Sequence, residues 1–325
     1  MNEMKPAETS RPARSWRVIL QLGASVLLLV LVLVFIDEEA LLERLLALDA
    51  FWIGCALIIS VPQYVLSAAR WQVTSERLGA PLPFRMALPE YYLAVLANQI
   101  LPGGVMGDAA RAIRHGYRLS SDDAPSCFGP ALRAVVYERA SGQVALFLLM
   151  LASLAFWPVV FPMRPIFSFY ALAAFAVASA FGLGVFWGLT RPKYRHSASI
   201  YLREIHHALF ARDVILSQLA YSFGVLATYM ACFYCAGRAV GIALTPAEII
   251  TLVPVVLFSM TVPITISGWG VREATAAFVW SLAMLSSADG VAISVTYGLI
   301  VFLSSLPGIF FLLPGPRKHD IRNQG

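Results

Sequence analysis

Among the stretches of this chain that run for 19 to 25 residues without an acidic or basic side chain are Val18 to Ile36, Ala50 to Ala69, Ala140 to Met163, Ile166 to Thr190, Val214 to Ala236 and Gly290 to Leu313. Each can carry a helix across ~30 Å of hydrocarbon, which takes about 20 residues. Inside lipid a backbone must bond to itself, so runs rich in Leu, Ala and Val predict helices. The alternating polarity of a transmembrane barrel is absent. Composition agrees, with 59% hydrophobic and 13% charged residues, against about a quarter charged in soluble domains. The chain reads as an all-α integral membrane protein, with residues 1–325 as a single transmembrane domain.

The first run follows Arg11, Arg14 and Arg17, as in a signal peptide, but its 19 residues exceed a signal core of ~7 to 15 and end in Asp37-Glu38-Glu39. It is expected to stay as an anchor. Cys232 and Cys235 form a CxxC within an apolar span, where packing is the reading. The five histidines fall in expected loops or tails without metal-ligand spacing, and no metal site or cofactor is expected. No phosphate-loop, zincin or nucleophile-elbow motif occurs. The net charge of +5 marks cytoplasmic loops rather than nucleic acid. Trp16, Trp52, Trp71 and Trp157 near span ends fit interfacial belts, and Gly184/Gly188 and Gly237/Gly241 fit close helix packing.

Charge sets the topology. Lys5, Arg11, Arg14 and Arg17 place the N-terminus inside, and residues 37–49, with five leucines, read as an amphipathic helix on the outer surface. After the second span, Met86 to Gly107 is interrupted by Leu101-Pro102-Gly103-Gly104. A full crossing here would put Arg111, Arg114, Arg118, Arg133 and the basic loop from Arg191 to Arg212 outside. A segment that dips in, breaks and returns keeps them inside. Ile249 to Val271 is likewise uncharged but holds Pro254, Pro263, Gly268 and Gly270, and the apolar stretch after it, Ala274 to Ala288, is short for a crossing. A second hairpin, entering from outside, accounts for both; two full crossings would keep the same parity. The expected fold is six spanning helices plus two re-entrant broken-helix hairpins in an inverted-topology repeat. Its halves are 16–160 and 161–313, with cytoplasmic tails at 1–15 and 314–325, in the cytoplasmic (inner) membrane. Repeats with matching interrupted helices place binding sites near the bilayer midplane.

Ionisable groups in a bilayer cost ~2.5 to 3.5 kcal/mol on insertion scales and are functional candidates. Here they stand beside the breaks: Asp108 and Arg111 on one helix face, Glu138 and Arg139 opening the next span, Arg272 and Glu273 after the second break, and Glu90 and Glu248 at the hairpin mouths. A broken helix presents free N–H groups, which attract phosphate, and guanidinium matches phosphate in bidentate fashion. The expected headgroup site therefore comprises Gly103, Gly104, Gly107, Asp108, Arg111, Glu138, Arg139, Ser267, Gly268, Gly270, Arg272 and Glu273. The acidic members orient the arginines or meet an ammonium group. The competing structural reading is an ordinary helix-start carboxylate at Asp108 and snorkelling interfacial arginines.

Three ordered motifs carry a resemblance: Asn98-Gln-Ile-Leu-Pro-Gly-Gly-Val-Met-Gly-Asp108-Ala-Ala-Arg111, Tyr137-Glu-Arg-Ala-Ser-Gly142 and Pro263-Ile-Thr-Ile-Ser-Gly-Trp-Gly-Val-Arg-Glu273. The sequence resembles the flippase-like transmembrane domain of lysylphosphatidylglycerol synthases over roughly residues 16 to 313. It departs in Met106-Gly107-Asp108, where the family has Gly-Gly-Asp, and in Trp269, where a smaller apolar residue is usual. The resemblance implies movement of a lipid or lipid-linked headgroup between leaflets. With about a dozen residues after the last span, lysyl transfer is not expected. The expected substrate is an anionic phospholipid or polyprenyl-phosphate-type lipid, with no catalytic residues and no nucleic acid; lipid-biosynthesis enzymes are conceivable partners, and the oligomeric state is open. The alternatives are a membrane-embedded transferase using Glu138, Glu248 or Asp108 as base, and a non-catalytic factor in membrane-lipid biogenesis.

Overall fold

The computed structural model describes residues 13–34, 38–101, 104–119, 128–162, 192–261 and 265–312, and among them regular structure is entirely helical. In chain order the helices are α1 (Ala13–Val34), α2 (Glu38–Leu46), α3 (Ala50–Arg77), α4 (Phe84–Ile100), α5 (Met106–Leu119), α6 (Phe128–Val160), α7 (Pro192–Ile205), α8 (Ile215–Ala239), α9 (Pro246–Ser259), α10 (Val271–Leu282) and α11 (Ser287–Ser305). A π turn (His206–Phe210) follows α7 and a 3-10 turn (Leu306–Leu312) extends α11. Among the described residues, four helices are long and apolar enough to cross a membrane: α3, α6, α8, and α11 with its extension. The chain is a multi-pass all-α membrane protein. The helix α1 stands where the first anchor was expected. The expected span over 166–189, and Gly184/Gly188 with it, lies outside the described residues.

Local chemistry fixes the helix ends. Asp49 accepts a hydrogen bond from the Phe51 amide (2.8 Å) and starts α3. At α9, Thr245 and Glu248 form a reciprocal capping box with Pro246 in the first turn. Gly241, at φ +78°, turns the chain out of α8 as the Ile242 amide reaches back to the Gly237 carbonyl (2.8 Å). Gly241 is therefore a helix stop rather than half of a packing pair. The broken segments are short. At ~1.5 Å per residue α4 is about 26 Å long, α5 and α9 about 21 Å and α10 about 18 Å, all below ~30 Å of hydrocarbon.

The helix α3 lies along α8; α5 packs on α4 and α6, and α10 on α9 and α11. The helix α6 packs on α9, while α11 and its 3-10 extension pack on α4, where a side chain at Gly308 would meet the Tyr92 carbonyl at 2.8 Å. The larger apolar cluster is built around Phe233, Trp280 and Tyr297, and a smaller one around Tyr64, Trp71 and Tyr91. Trp71 and Trp157 are fully buried rather than interfacial. His115 sits buried in α5 with Nε2 3.1 Å from the Ala80 carbonyl, not in a loop. The corrections at Trp71 and His115 have one cause, since α3 and α5 extend past the uncharged runs and the two rings meet there at 5.9 Å, whereas Trp157 lies within its run and packs in the larger apolar cluster. Cys232 is buried, with Sγ 3.5 Å from the Ala56 carbonyl, in a packing role.

Candidate functional site

The first break is tied by a side chain that the sequence reading quoted but did not select. The Gly107 amide donates to Asn98 Oδ1 (2.7 Å), and Asn98 Nδ2 donates to Asp108 Oδ2 (2.9 Å). The helices meet backbone to backbone, since a Cβ on Gly107 would lie 2.0 Å from the Ala94 carbonyl oxygen. Asp108 in the first turn of α5 then faces the charges of α6. Its Oδ1 accepts from Arg111 Nε (3.0 Å) and Arg139 Nη2 (2.8 Å). Glu138 accepts from Arg111 Nη2 at Oε2 (2.7 Å) and from Arg70 Nε and Nη2 at Oε1 (3.2 and 2.7 Å).

The result is an alternating chain, Arg139, Asp108, Arg111, Glu138, Arg70, with a cation at either end. The middle cation is sealed: Arg111 is 0% exposed, between the rings of Trp71 (4.4 Å) and Tyr91 (4.7 Å). Both end cations, Arg70 and Arg139, line a cavity of about 630 Å³, and the Arg139 side chain is 35% exposed. Arg70 also donates to Ser222 on α8 (3.3 Å), and Gly142 leaves room for its guanidinium, which a Cβ would approach to 2.8 Å.

Across the cavity stands the second break. Ser267, Gly268 and Gly270 have left-handed backbones (φ +52°, +80° and +88°). Ser267 Oγ donates to Gln99 Oε1 (2.6 Å), joining the two breaks directly. Beyond this turn Arg272 gives Nε and Nη2 to Glu273 Oε1 (2.9 and 2.6 Å), and Nε also to Ser294 (3.0 Å). Gly298 makes room for it, a Cβ there falling 2.1 Å from Nη2, and the Trp269 ring lies 4.9 Å away. This pair is buried and neutral.

The expected residues thus divide. Gly104, Asp108, Arg139, Ser267 and Gly268 line the cavity. Arg111 and Glu138 lie behind its wall, and Gly107, Gly270, Arg272 and Glu273 belong to the packing of the breaks. Gly103 lies outside the described residues. Two of the expected bare amides are occupied: Gly107 N–H by Asn98, and Gly270 N–H by Glu273 Oε2 (2.7 Å). An orphan donor in a dry interior is costly, so the chain supplies its own acceptors. The Arg139 guanidinium, its side chain 35% exposed, is the open donor of the charge chain, whereas Arg70 lines the cavity at 4% exposure. Glu248 serves the α9 capping box, and Glu90 holds Arg114 (2.6 Å) and Arg118 (2.5 Å). Arg70 was missed. Its signal was position, one residue past an uncharged run that the helix outlasts by two turns.

Residues 18–308 match the family model described as the lysylphosphatidylglycerol synthase TM region, and the chain belongs to that family. No curated protein and no solved structure gives a significant match.

Proposed function

We propose that this member of the lysylphosphatidylglycerol synthase transmembrane family is a lipid translocator that passes an anionic headgroup through the cavity between its two breaks. The observation that carries this is the unequal charge chain on the cavity wall: three guanidiniums against two carboxylates, both ends facing the cavity. A lone positive charge in low dielectric is expensive, and an anionic headgroup meeting Arg70 and Arg139 offsets it with charge-assisted hydrogen bonds. Acyl or isoprenoid tails stay in lipid while the headgroup occupies the cavity. The carboxylates that a transferase would need as bases are engaged by arginines or, at Glu248, by a helix cap, which disfavours lipid modification.

The translocator reading includes the expected architecture. The short lengths of α4, α5, α9 and α10 support two hairpins that each turn back within the membrane. Packing supports an inverted repeat: exchanging α3 with α8, α4 with α9, α5 with α10 and α6 with α11 returns the same set of neighbours. Thus α5 on α6 matches α10 on α11, α3 on α6 matches α8 on α11, and α6 on α9 matches α11 with its extension on α4. In this reading both termini are cytoplasmic, in the cytoplasmic membrane. Purified protein in vesicles should change the leaflet distribution of anionic phospholipids or polyprenyl phosphates relative to empty vesicles. No change across a broad lipid panel rejects the proposal.

A further inference from the structure

The basic segment before α8 is held to the end of the molecule where α3 stops and α6 and α8 start. Residues 191–212 contain five lysines or arginines and three histidines against one acid, Glu204. That acid is engaged: Arg133 on α6 pairs with it at 2.9 Å, and the Tyr137 hydroxyl donates to it (3.3 Å). Asp213, the next acid along the chain, pairs with Arg77 at the end of α3. Both neighbouring carboxylates are thus taken by cations outside the segment, and its own positive charge stands.

One side of α7 and its π turn faces the helices. Ala208 and Leu209 are buried against Tyr137, and the Ala208 carbonyl accepts from Gln218 Nε2 on α8 (3.4 Å). The other side is open. Leu202, His206 and Phe210 recur every four residues, the spacing of one helix face. Leu202 and Phe210 are 52% and 54% exposed, and Arg203 and Arg212 are exposed beside them. Apolar side chains interleaved with cations are what an interfacial helix offers a bilayer, with the apolar groups entering the headgroup boundary and the cations meeting anionic heads. An acidic protein surface would answer the arginines but set Leu202 and Phe210 against carboxylates. A neutral bilayer would answer only the apolar pair; an anionic leaflet answers both. The contact is not isolated from the cavity, because Tyr137 directly precedes Glu138 and Arg139 of the charge chain on α6.

We infer that α7 with its π turn is an arm that seats on an anionic lipid leaflet through Leu202, Arg203, Phe210 and Arg212, and that Glu204 transmits this seating to α6, setting the access to the cavity beside Arg139. For its effect on transport the inference rests on the translocator reading; the seating and its effect on the cavity are measured without transport. The full chain is placed in nanodiscs, which leave both faces accessible, made of phosphatidylcholine alone or mixed with phosphatidylserine. A polarity-sensitive dye on Phe210→Cys should shift to the blue and gain protection from an aqueous quencher only in the anionic discs. Both effects should vanish at about 1 M salt, where the screening length is ~3 Å. Arg203→Gln and Arg212→Gln should each weaken the seating about fivefold, the effect of one cation near an anionic surface. Arg139→Gln should leave the dye response intact, which separates the leaflet from a lipid inside the cavity. Ala140 is exposed and lines the cavity. The thiol reactivity of Ala140→Cys should change about fivefold between the two disc compositions, the low end of coupling between sites, and Glu204→Gln should abolish that change while the dye still responds. A dye response equal in both discs, or one that persists at high salt, overturns the inference, as does Ala140→Cys reactivity that ignores disc composition. A dye response to soluble polyglutamate in place of anionic lipid would assign the arm to an acidic protein and overturns it too. Absent lipid exchange with these responses intact sinks the translocator and leaves the arm standing; exchange with a silent dye does the reverse.

Discussion

Two neighbours on α6 separate the work of holding the fold from that of holding a ligand. Glu138 is 0% exposed and is the shared acceptor of Arg70 and Arg111. In Glu138→Gln the charge is gone and the new NH2 faces a guanidinium, leaving two buried cations short of a counter-charge. A loss of about 3 to 5 kcal/mol is expected, visible as a lower unfolding temperature in detergent and poor yield. Arg139 has one carboxylate partner and a side chain open to the cavity. Arg139→Gln should keep the unfolding temperature within a few degrees and slow lipid exchange about tenfold, the worth of one charge-assisted hydrogen bond. Loss of folding in Arg139→Gln with normal exchange in Glu138→Gln would reverse these assignments. Asp108, Arg111, Glu138 and Arg139 were legible in the sequence because charges beside breaks in apolar runs are conspicuous. Arg70 was not, because a run that stops at the first charge assigns that charge to a loop. Only packing shows that α3 carries it inside, opposite Glu138.

At the level of elements, the breaks were readable as Pro and Gly clusters, but what they do was misjudged. The expected role was to bare helix ends; the structure uses glycine for contact. Gly107 allows α5 to touch the Ala94 carbonyl of α4, and Gly270 allows the second turn to touch α1, where a Cβ would come within 2.8 Å of Leu28 Cβ. Backbone atoms cannot swing aside as a side chain can, so Gly107→Ala must part α4 from α5. That movement breaks the Asn98 bridge to Gly107 and Asp108 and displaces one end of the charge chain. Gly107→Ala should abolish exchange and raise the reactivity of a cysteine placed at Ala109. Gly79→Ala, a helix-exit glycine with open space around its Cβ position but φ +72°, is the control. It should cost about 1 kcal/mol of backbone strain and leave exchange near normal. Equal loss in both variants would show that general destabilisation, not the α4 to α5 contact, governs the site.

For the whole molecule, the proposed repeat makes the two breaks mates, and they carry different charge. Corresponding first turns hold Asp108 with Arg111 in one half and Glu273 with Arg272 in the other. The second pair is neutral, completed by Ser294, and closed over by α11 at Gly298. The first has gained Arg70, Glu138 and Arg139 and faces the cavity. In the proposed repeat an asymmetric site thus sits on a symmetric arrangement of helices, with the charge chain on the first break alone. The positions of the breaks were visible in the sequence as Pro and Gly clusters inside uncharged stretches. This charge asymmetry was not, since it depends on which arginines the helices bury. The arrangement stands only if α4 and α5 return to the side from which they came, because that single reversal fixes the direction of every later helix. Tyr117 on α5 and Met284 after α10 are 71% and 72% exposed, whereas a cysteine at Gly116 would crowd Phe128 at 2.9 Å. Single cysteines at Tyr117 and Met284 should react with a membrane-impermeant thiol reagent from opposite sides, Tyr117→Cys from the cytoplasm and Met284→Cys from outside. Modification of Tyr117→Cys in intact cells would mean that α4 and α5 cross outright. The basic loops would then lie on the wrong face, and the two breaks could not be mates in an inverted repeat.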